Sequence, residues 1–438
     1  MTTPRSTRKS LPTTGALSLT SPHAEEDLRW LGWWNEQSVE VLWALSGAAD
    51  ANLALNTLVR LSQALEESGQ GRQELDKEIR DNPLLRVRLF ALLGGSSVLG
   101  DHLVANPTTW KLLLADAPSR SEMFKELLEC ISAVPAHFSE EVAYEPSQRD
   151  TATDDLCQPG TYRSEIAGAE AEAILRKRYR TLLMRIAAVD LAGTYPESSR
   201  RVGQPEVPFR VVTAQLADLA DAALTAALAV AVRQVYGDNP VDCRLAVIAM
   251  GKCGAKELNY ISDVDVVFVA EPAESKATRV ASEFIKVGCR AFFDVDAALR
   301  PEGKRGALVR TLESHVTYYR RWAHTWEFQA LLKHRPMTGC LPLGEAYSAA
   351  LSPMVWEASK RDSFVSDVQA MRRRVLETVP DHLKHRELKL GVGGLRDVEF
   401  AVQLLQLVHG RSDESLRQLA TVDALAALIG AGYVGRTD

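Results

Sequence analysis

Asp263 and Asp265 stand two residues apart in the run Ser262-Asp-Val-Asp-Val-Val-Phe268, which is rich in β-branched residues. On a strand, residues i and i+2 share a face, so the two carboxylates lie side by side while Val264, Val266 and Phe268 point into a core. Neighbouring carboxylates repel and raise one another's pKa unless a cation intervenes. The pair therefore suits one or two Mg²⁺ ions, which favour carboxylate oxygen and keep coordination positions open for phosphate. Further along, Phe292–Arg300 reads as another strand that places Asp294 and Asp296 together on one face. A third carboxylate from that strand would complete the set that two-metal phosphoryl or nucleotidyl transfer requires. On residue types alone, two solvated aspartates on an exposed strand edge are the alternative.

The surroundings add phosphate chemistry. Gly251-Lys252-Cys253-Gly254 is a glycine-containing turn whose backbone amides could approach a phosphate closely, or which could serve only as a tight turn. Between Arg300 and Arg335 the chain carries eight Lys/Arg against three Glu. Arg300, Lys304, Arg305 and Arg310 follow the later carboxylates directly, where they could hold phosphate oxygens or form a solvated basic face. Tyr318, Tyr319, Trp322 and Trp326 recur at helical spacing, which reads as core. Gly391-Val392-Gly393-Gly394 precedes the helical stretch Leu395–Val408 and could present amides, or Arg396, to an anion. His382 and His385 have no partner ligands nearby and read as solvated.

Positioning these residues requires a small mixed α/β unit. Arg244–Met250 is a nearly continuous apolar run that suits a buried strand. The turn and a short helical piece, Ala255–Leu258, follow it. Asp263–Ala270 is the second strand, Ser275–Cys289 an amphipathic helix and Phe292–Arg300 the third strand, closed by Pro301. After Thr311 the helical period returns and persists. Upstream, from about Glu25 to Val235, the pattern is mostly helical, as in Ala51–Glu67, Leu84–Leu93 and Glu165–Leu191. Pro135–Tyr162 and Glu197–Pro208 interrupt it as polar loops. The predicted class is α+β, mostly helical, with a mixed-sheet core flanked by helical regions.

Composition narrows the function classes. The chain has 438 residues, 46% hydrophobic and 25% charged, which is ordinary for folded proteins. A net charge of -6 gives no global drive towards nucleic acid. No uninterrupted apolar run reaches spanning length, and the longest candidate, near Ala222–Val232, is an Ala-rich helix face. The basic, Ser/Thr-rich start lacks the apolar core of a secretory signal and reads as a disordered tail. The six cysteines are far apart, which favours free thiols and a reducing, cytoplasmic setting.

Ala249–Phe268, AMGKCGAKELNYISDVDVVF, resembles the signature of the glutamine synthetase adenylyltransferase and adenylyl-removing enzymes, which belong to the polymerase-β-type nucleotidyltransferase superfamily. That signature is a Gly-Lys-x-Gly turn, Glu-Leu-Asn, then Ser-Asp-x-Asp. Leu299–Val309, Trp326–Pro336 and Leu388–Leu407 are similar to further family segments, as are Leu92–Pro107 and Arg176–Gly193 upstream. The resemblance implies that Asp263, Asp265 and Asp296 are the catalytic metal carboxylates, because the family's third carboxylate precedes a Leu-Arg-Pro stretch. It implies nucleotide or phosphate contacts for Gly251, Lys252, Ser262, Arg300, Lys304, Arg305, Lys333 and Arg396. Glu327, Asp397 and Glu399 also match family positions. Ala298 and Phe328 depart from the family, which usually has arginines there.

The expectation from the resemblance is an adenylyl-removing half of a chain about twice as long. It would remove AMP from an adenylylated tyrosine of glutamine synthetase with Mg²⁺, taking up phosphate and releasing ADP. The alternatives are adenylylation from ATP at the same type of site, or a non-catalytic module that binds glutamine synthetase. A PII-type signalling protein is a further implied partner; nucleic acid and membrane are not. The expected organisation is a tail over residues 1–24, a helical region over 25–235, a nucleotidyltransferase core over 236–345 and a C-terminal helical bundle over 346–438.

Overall fold

The computed structural model describes residues 10–69, 71–142, 152–195 and 206–435. The chain divides into two compact units, one formed by 1–119 and 177–212, the other by 120–176 and 213–438. The boundary within the expected helical region thus falls inside it, and residues 120–176 belong with the sheet-containing unit.

The first unit is helical. In the helix Ala51–Glu67, Ala54, Leu55, Leu58, Leu61 and Leu65 are fully buried or nearly so, the three-and-four spacing of a single apolar stripe. Asp50 caps it by accepting the Leu53 amide, and Asn82 with Pro83 starts the helix Pro83–Gly95 in the same manner. The tail expectation is corrected here. Leu17 and Leu19 are buried in this unit's core and a 3₁₀ turn spans Gly15–Leu17, because two leucines give the segment apolar surface to bury. Residues 1–9 lie outside the described residues.

The second unit holds the sheet. A two-stranded antiparallel pair, β1 (Val134–Pro135) and β2 (Tyr162–Arg163), brackets the expected loop, part of which lies outside the described residues. Most of the other expected loop, Glu197–Pro208, also lies outside them. The main sheet is mixed and built from β3 (Arg244–Ala249), β4 (Val264–Glu271), β5 (Val295–Asp296), β6 (Val309–Arg310) and β7 (Arg335–Gly339). Its order is β5-β4-β3-β7, with β6 also on β4. β3 pairs antiparallel with β4 and β7, whereas β5 and β6 run parallel to β4.

Both faces are covered. Phe268 meets Phe284 of the helix Ser275–Ala291 edge-on at 5.5 Å. On the opposite face Ala246, Ile248, Val267 and Val269 share a core with Tyr319, Phe328, Leu331 and Tyr347. By strand alternation Asp265 projects on the second face, with Val267 and Val269.

Three expectations change. The third strand is only two residues long. The helical piece after β3 is Gly251–Gly254 itself rather than Ala255–Leu258. The uniformly helical stretch after Thr311 contains β7, whose Arg-Pro-Met-Thr-Gly sequence carries little β signal; Pro336 fits there because β7 pairs with β3 alone.

The helix Phe209–Tyr236 is long and apolar enough to cross a membrane by length and composition, although Asp218 and Asp221 interrupt its apolar runs. Of its most apolar window, 89% is buried within the protein, as befits an Ala-rich core helix. Within the second unit, Asp221 is fully buried and accepts both terminal nitrogens of Arg335, at 3.0 and 2.9 Å, and the Lys256 ammonium at 2.6 Å. Arg335 also donates to the carbonyls of Cys253 and Gly254. This clamp ties the Gly251–Gly254 turn and β7 to the core helix.

Candidate active site

Residues 255–263 lead from the turn after β3 to β4, and Asp263 and Asp265 lie at the start of β4. Gly251 has φ +55, and a Cβ there would lie 2.7 Å from Asp265 Oδ2, so glycine serves both the conformation and the close approach. At Gly254 a Cβ would run into the Lys333 carbonyl. The Met250 amide donates to the Asp265 carbonyl at 2.9 Å, which fixes the strand start against the turn. In the parallel pairing of β4 with β5, Asp265 stands opposite Asp296. Asp294 is exposed and contributes its carbonyl to the Val264 amide.

Burial, first, and then the charges of Asp263 and Asp296 push the Asp265 carboxyl up to about 6; Arg396 and Lys389 oppose the shift. Asp263 and Asp296 thus act electrostatically on Asp265 at one end of the sheet.

A cavity of about 500 Å³ opens at this end. Asp263, Asp265, Ser262 and Gly251 line one part of it. Lys252, Lys333, Lys389 and Arg396 supply four cations, and Trp326, Met371 and Phe400 give it an apolar wall. Asp296 does not line it; its Oδ1 accepts the Ala298 amide at 2.7 Å. Among the described residues no three His, Cys, Asp or Glu side chains converge into a metal cage. The donor set still fits Mg²⁺, which keeps several waters and needs only one or two protein carboxylates beside substrate phosphates.

The cations differ in commitment. Lys333 is buried and donates to Glu257 Oε2 at 3.0 Å and to Thr421 Oγ1 at 2.7 Å. Arg396 pairs with Glu399 at 3.2 Å. Burial and the nearby charge of Lys389 lower the pKa of Lys252.

The structure does not bring the basic segment to the cavity. The Arg300 guanidinium is consumed by its own loop, donating to the carbonyls of Ala297 at 2.7 Å, Lys304 at 3.1 Å and Gly306 at 3.2 Å. Lys304 and Arg305 sit exposed in the 3₁₀ turn Gly303–Arg305 and are not among the lining residues. Arg310 pairs with Glu302. A charge run is read locally in sequence, whereas loop closure decides where guanidinium groups go. Trp326 lines the cavity instead of the core, and Trp322 is 71% exposed; Tyr318 and Tyr319 are buried as expected. Glu327 is buried and structural, accepting the Tyr318 hydroxyl at 2.8 Å and the His324 amide at 2.7 Å.

Phe328 packs against Tyr319 with ring centroids 5.6 Å apart, so this chain uses the position for core. Sequence reasoning missed Lys389, Gln329 and Gln403 as cavity residues. The glycines beside Lys389 were the available signal. The Gln329–Gln403 hydrogen bond, 2.7 Å across helices far apart in the chain, left none.

Comparison with known proteins adds relatives. Residues 112–350 match the family described as glutamate-ammonia ligase adenylyltransferase, and residues 369–438 match GlnD PII-uridylyltransferase. The bifunctional glutamine synthetase adenylyltransferase/adenylyl-removing enzyme of Corynebacterium efficiens is 64% identical over 434 residues, 98% of this chain and 41% of that protein. Its counterpart in Corynebacterium glutamicum is 65% identical over 432 residues, again 98% and 41%. That of Mycobacterium tuberculosis is 52% identical over 436 residues, 98% and 40%. The chain therefore spans about two fifths of the length of the curated relatives it matches.

Proposed function

The chain belongs to the glutamate-ammonia ligase adenylyltransferase family, and on that premise we propose that it is an adenylyl-removing unit acting on the adenylylated tyrosine of glutamine synthetase. The observation that carries this reading is one cavity with Asp263 and Asp265 on one part of its wall and four cations on the rest. Carboxylates for a divalent cation beside ammonium and guanidinium groups for phosphate oxygens are the two needs of nucleotidyl transfer.

In the proposed reaction an oxygen of inorganic phosphate attacks the AMP phosphorus, the bond to the tyrosyl oxygen breaks, and ADP leaves. Asp263, Asp265 and Asp296 would hold Mg²⁺, which supplies charge withdrawal from the phosphoryl oxygens when bound. Lys333, fixed by Glu257 and Thr421, and Arg396, fixed by Glu399, present positive charge at set positions and need no rearrangement during reaction. Met371 and Phe400 provide apolar surface, and Trp326 a face on which an adenine can stack. The reaction draws on phosphate and nucleotide, in keeping with the cytoplasmic setting expected for the chain. A PII-type protein is the proposed regulator, a reading supported by the match of residues 369–438.

The test uses adenylylated glutamine synthetase. The chain should release ADP only when phosphate is supplied, and folded Asp263→Asn and Asp265→Asn proteins should lose that release, each by several kcal/mol of activation energy, about a thousandfold or more. Undiminished ADP release by both variants refutes the assignment. Turnover that requires ATP in place of phosphate assigns the site to the forward transfer.

A further inference from the structure

The loop from Glu387 to Leu395 is held more firmly than a connection between helices requires. Arg372 donates to the Leu390 and Gly391 carbonyls at 3.1 and 2.9 Å and pairs with Asp397. The second oxygen of Asp397 accepts the Gly393 amide at 2.6 Å. Glu387 Oε1 accepts the amides of Lys389 and Leu390 at 2.9 and 3.0 Å, and the Lys389 carbonyl accepts the Arg396 amide at 2.9 Å. A Cβ at 391 or 394 would strike the carbonyls of Glu387 or Leu388, and Gly393 has φ +72. The glycines therefore let the loop fold back on itself, and the fold-back sets Lys389 at the lip of the cavity.

Two of the four cavity cations already have carboxylate partners. The Lys389 and Lys252 ammonium groups have no hydrogen bond or ion pair among the described residues. Lys389 and Lys252 line the same cavity as Gly251, Asp263 and Asp265, so both ammonium groups belong to the space beside the turn and the carboxylates. Two like charges held in one cavity by a rigid loop and a rigid turn repel, and an anion between them relieves the repulsion.

We propose that Lys389 and Lys252 form the subsite for a single phosphate group, which is inorganic phosphate before transfer and the β-phosphate of ADP after it. The inference rests on the phosphorolytic reading above and deepens it. The balance is simple. HPO₄²⁻ forms the new P–O bond, the tyrosyl oxygen leaves with its electron pair, and the proton brought by the phosphate ends on that oxygen. The phosphate unit keeps its lysine contacts throughout and becomes the outer phosphate of ADP. AMP has no such group, so the subsite discriminates ADP from AMP.

The experiment is calorimetric titration of the full 438-residue chain with ADP, AMP and inorganic phosphate in the presence of Mg²⁺. Lys389→Met should weaken ADP and phosphate by about tenfold or more, the worth of one charge-assisted contact, and leave AMP within about twofold. Lys389→Arg should restore most of the loss. Lys389 is exposed, so the substitution spares the fold. Equal weakening of ADP and AMP, no weakening of either, or a wild-type chain that binds neither ADP nor phosphate overturns the proposal. The titration reads no turnover. Active aspartate variants would therefore remove the phosphorolytic assignment without touching this result, and an unaltered ADP affinity in Lys389→Met would remove the subsite alone.

Discussion

Replacing Asp265 by Asn removes a mostly buried negative charge while keeping the shape of the side chain. In the folded protein this carboxyl titrates at about 6, against an ordinary 3.8, because burial and the charges of Asp263 and Asp296 disfavour its ionised form. At 1.36 kcal/mol per pH unit, the gap means that ionised Asp265 costs the folded state about 3 kcal/mol, an upper figure given the solvent that reaches the cavity. A raised folded-state pKa has a definite sign. The cost is absent below about pH 4, grows between 4 and 6, and is complete above 6. In EDTA, Asp265→Asn should therefore be more stable than wild type by about 2–3 kcal/mol at pH 7.5 and by roughly half that at pH 5. Urea unfolding followed by circular dichroism at the two pH values measures this. Adding Mg²⁺ should stabilise wild type and leave the variant unchanged, since a cation offsets the same repulsion. A variant no more stable than wild type at pH 7.5, or a gain of equal size at both pH values, would refute the electrostatic argument.

Asp221→Ala leaves the largely buried Arg335 guanidinium without a carboxylate, while Lys256 keeps Asp218, and should destabilise the sheet-containing unit by about 3–5 kcal/mol, read as a lowered urea midpoint. Gly251→Ala places a methyl group against Asp265 Oδ2 in a left-handed conformation; it should cost at least about 1 kcal/mol and cut ADP release sharply, as stability and turnover measurements would show together. Arg372→Ala unfastens the Lys389 loop, although Arg372 itself does not line the cavity. It should raise the KM for phosphate several-fold with a smaller effect on kcat, in steady-state kinetics on adenylylated glutamine synthetase.

The carboxylate pair was legible because it depends on a local rule. Alternation along one strand puts Asp263 and Asp265 together and sends Val264, Val266 and Phe268 into the core, whatever the rest of the chain does. The helix Ser275–Ala291 was legible for the same reason, its apolar stripe being visible in sequence. The cations were legible only in part: Lys252, Lys333 and Arg396, named from the sequence, line the cavity, whereas Arg300, Lys304 and Arg305 do not and Lys389 was missed. Arg300, Lys304 and Arg305 stand beside the carboxylates in sequence, yet their loop closes on the Arg300 guanidinium and turns the other two to solvent. Trp326 reaches the cavity through packing between helices distant in the chain, which no short-range pattern encodes, and Lys389 through a loop whose glycines were its one local sign. The buried tail leucines and the edge strand β7 follow the same logic: tertiary partners decided structures for which local propensity gave little sign.

Lys333 links the cavity wall to the first residue of the helix Thr421–Gly430: its ammonium donates to Thr421 Oγ1 and Glu257 Oε2, and the Thr421 hydroxyl donates to that same Glu257 oxygen. Any shortened version for crystallography or assay must therefore extend past that helix. Ending at the last cavity residue, Gln403, would strip the ammonium of a neutral acceptor and leave the hydroxyl-bonded oxygen of Glu257 exposed to water. An inactive fragment of that kind would report on the cut alone.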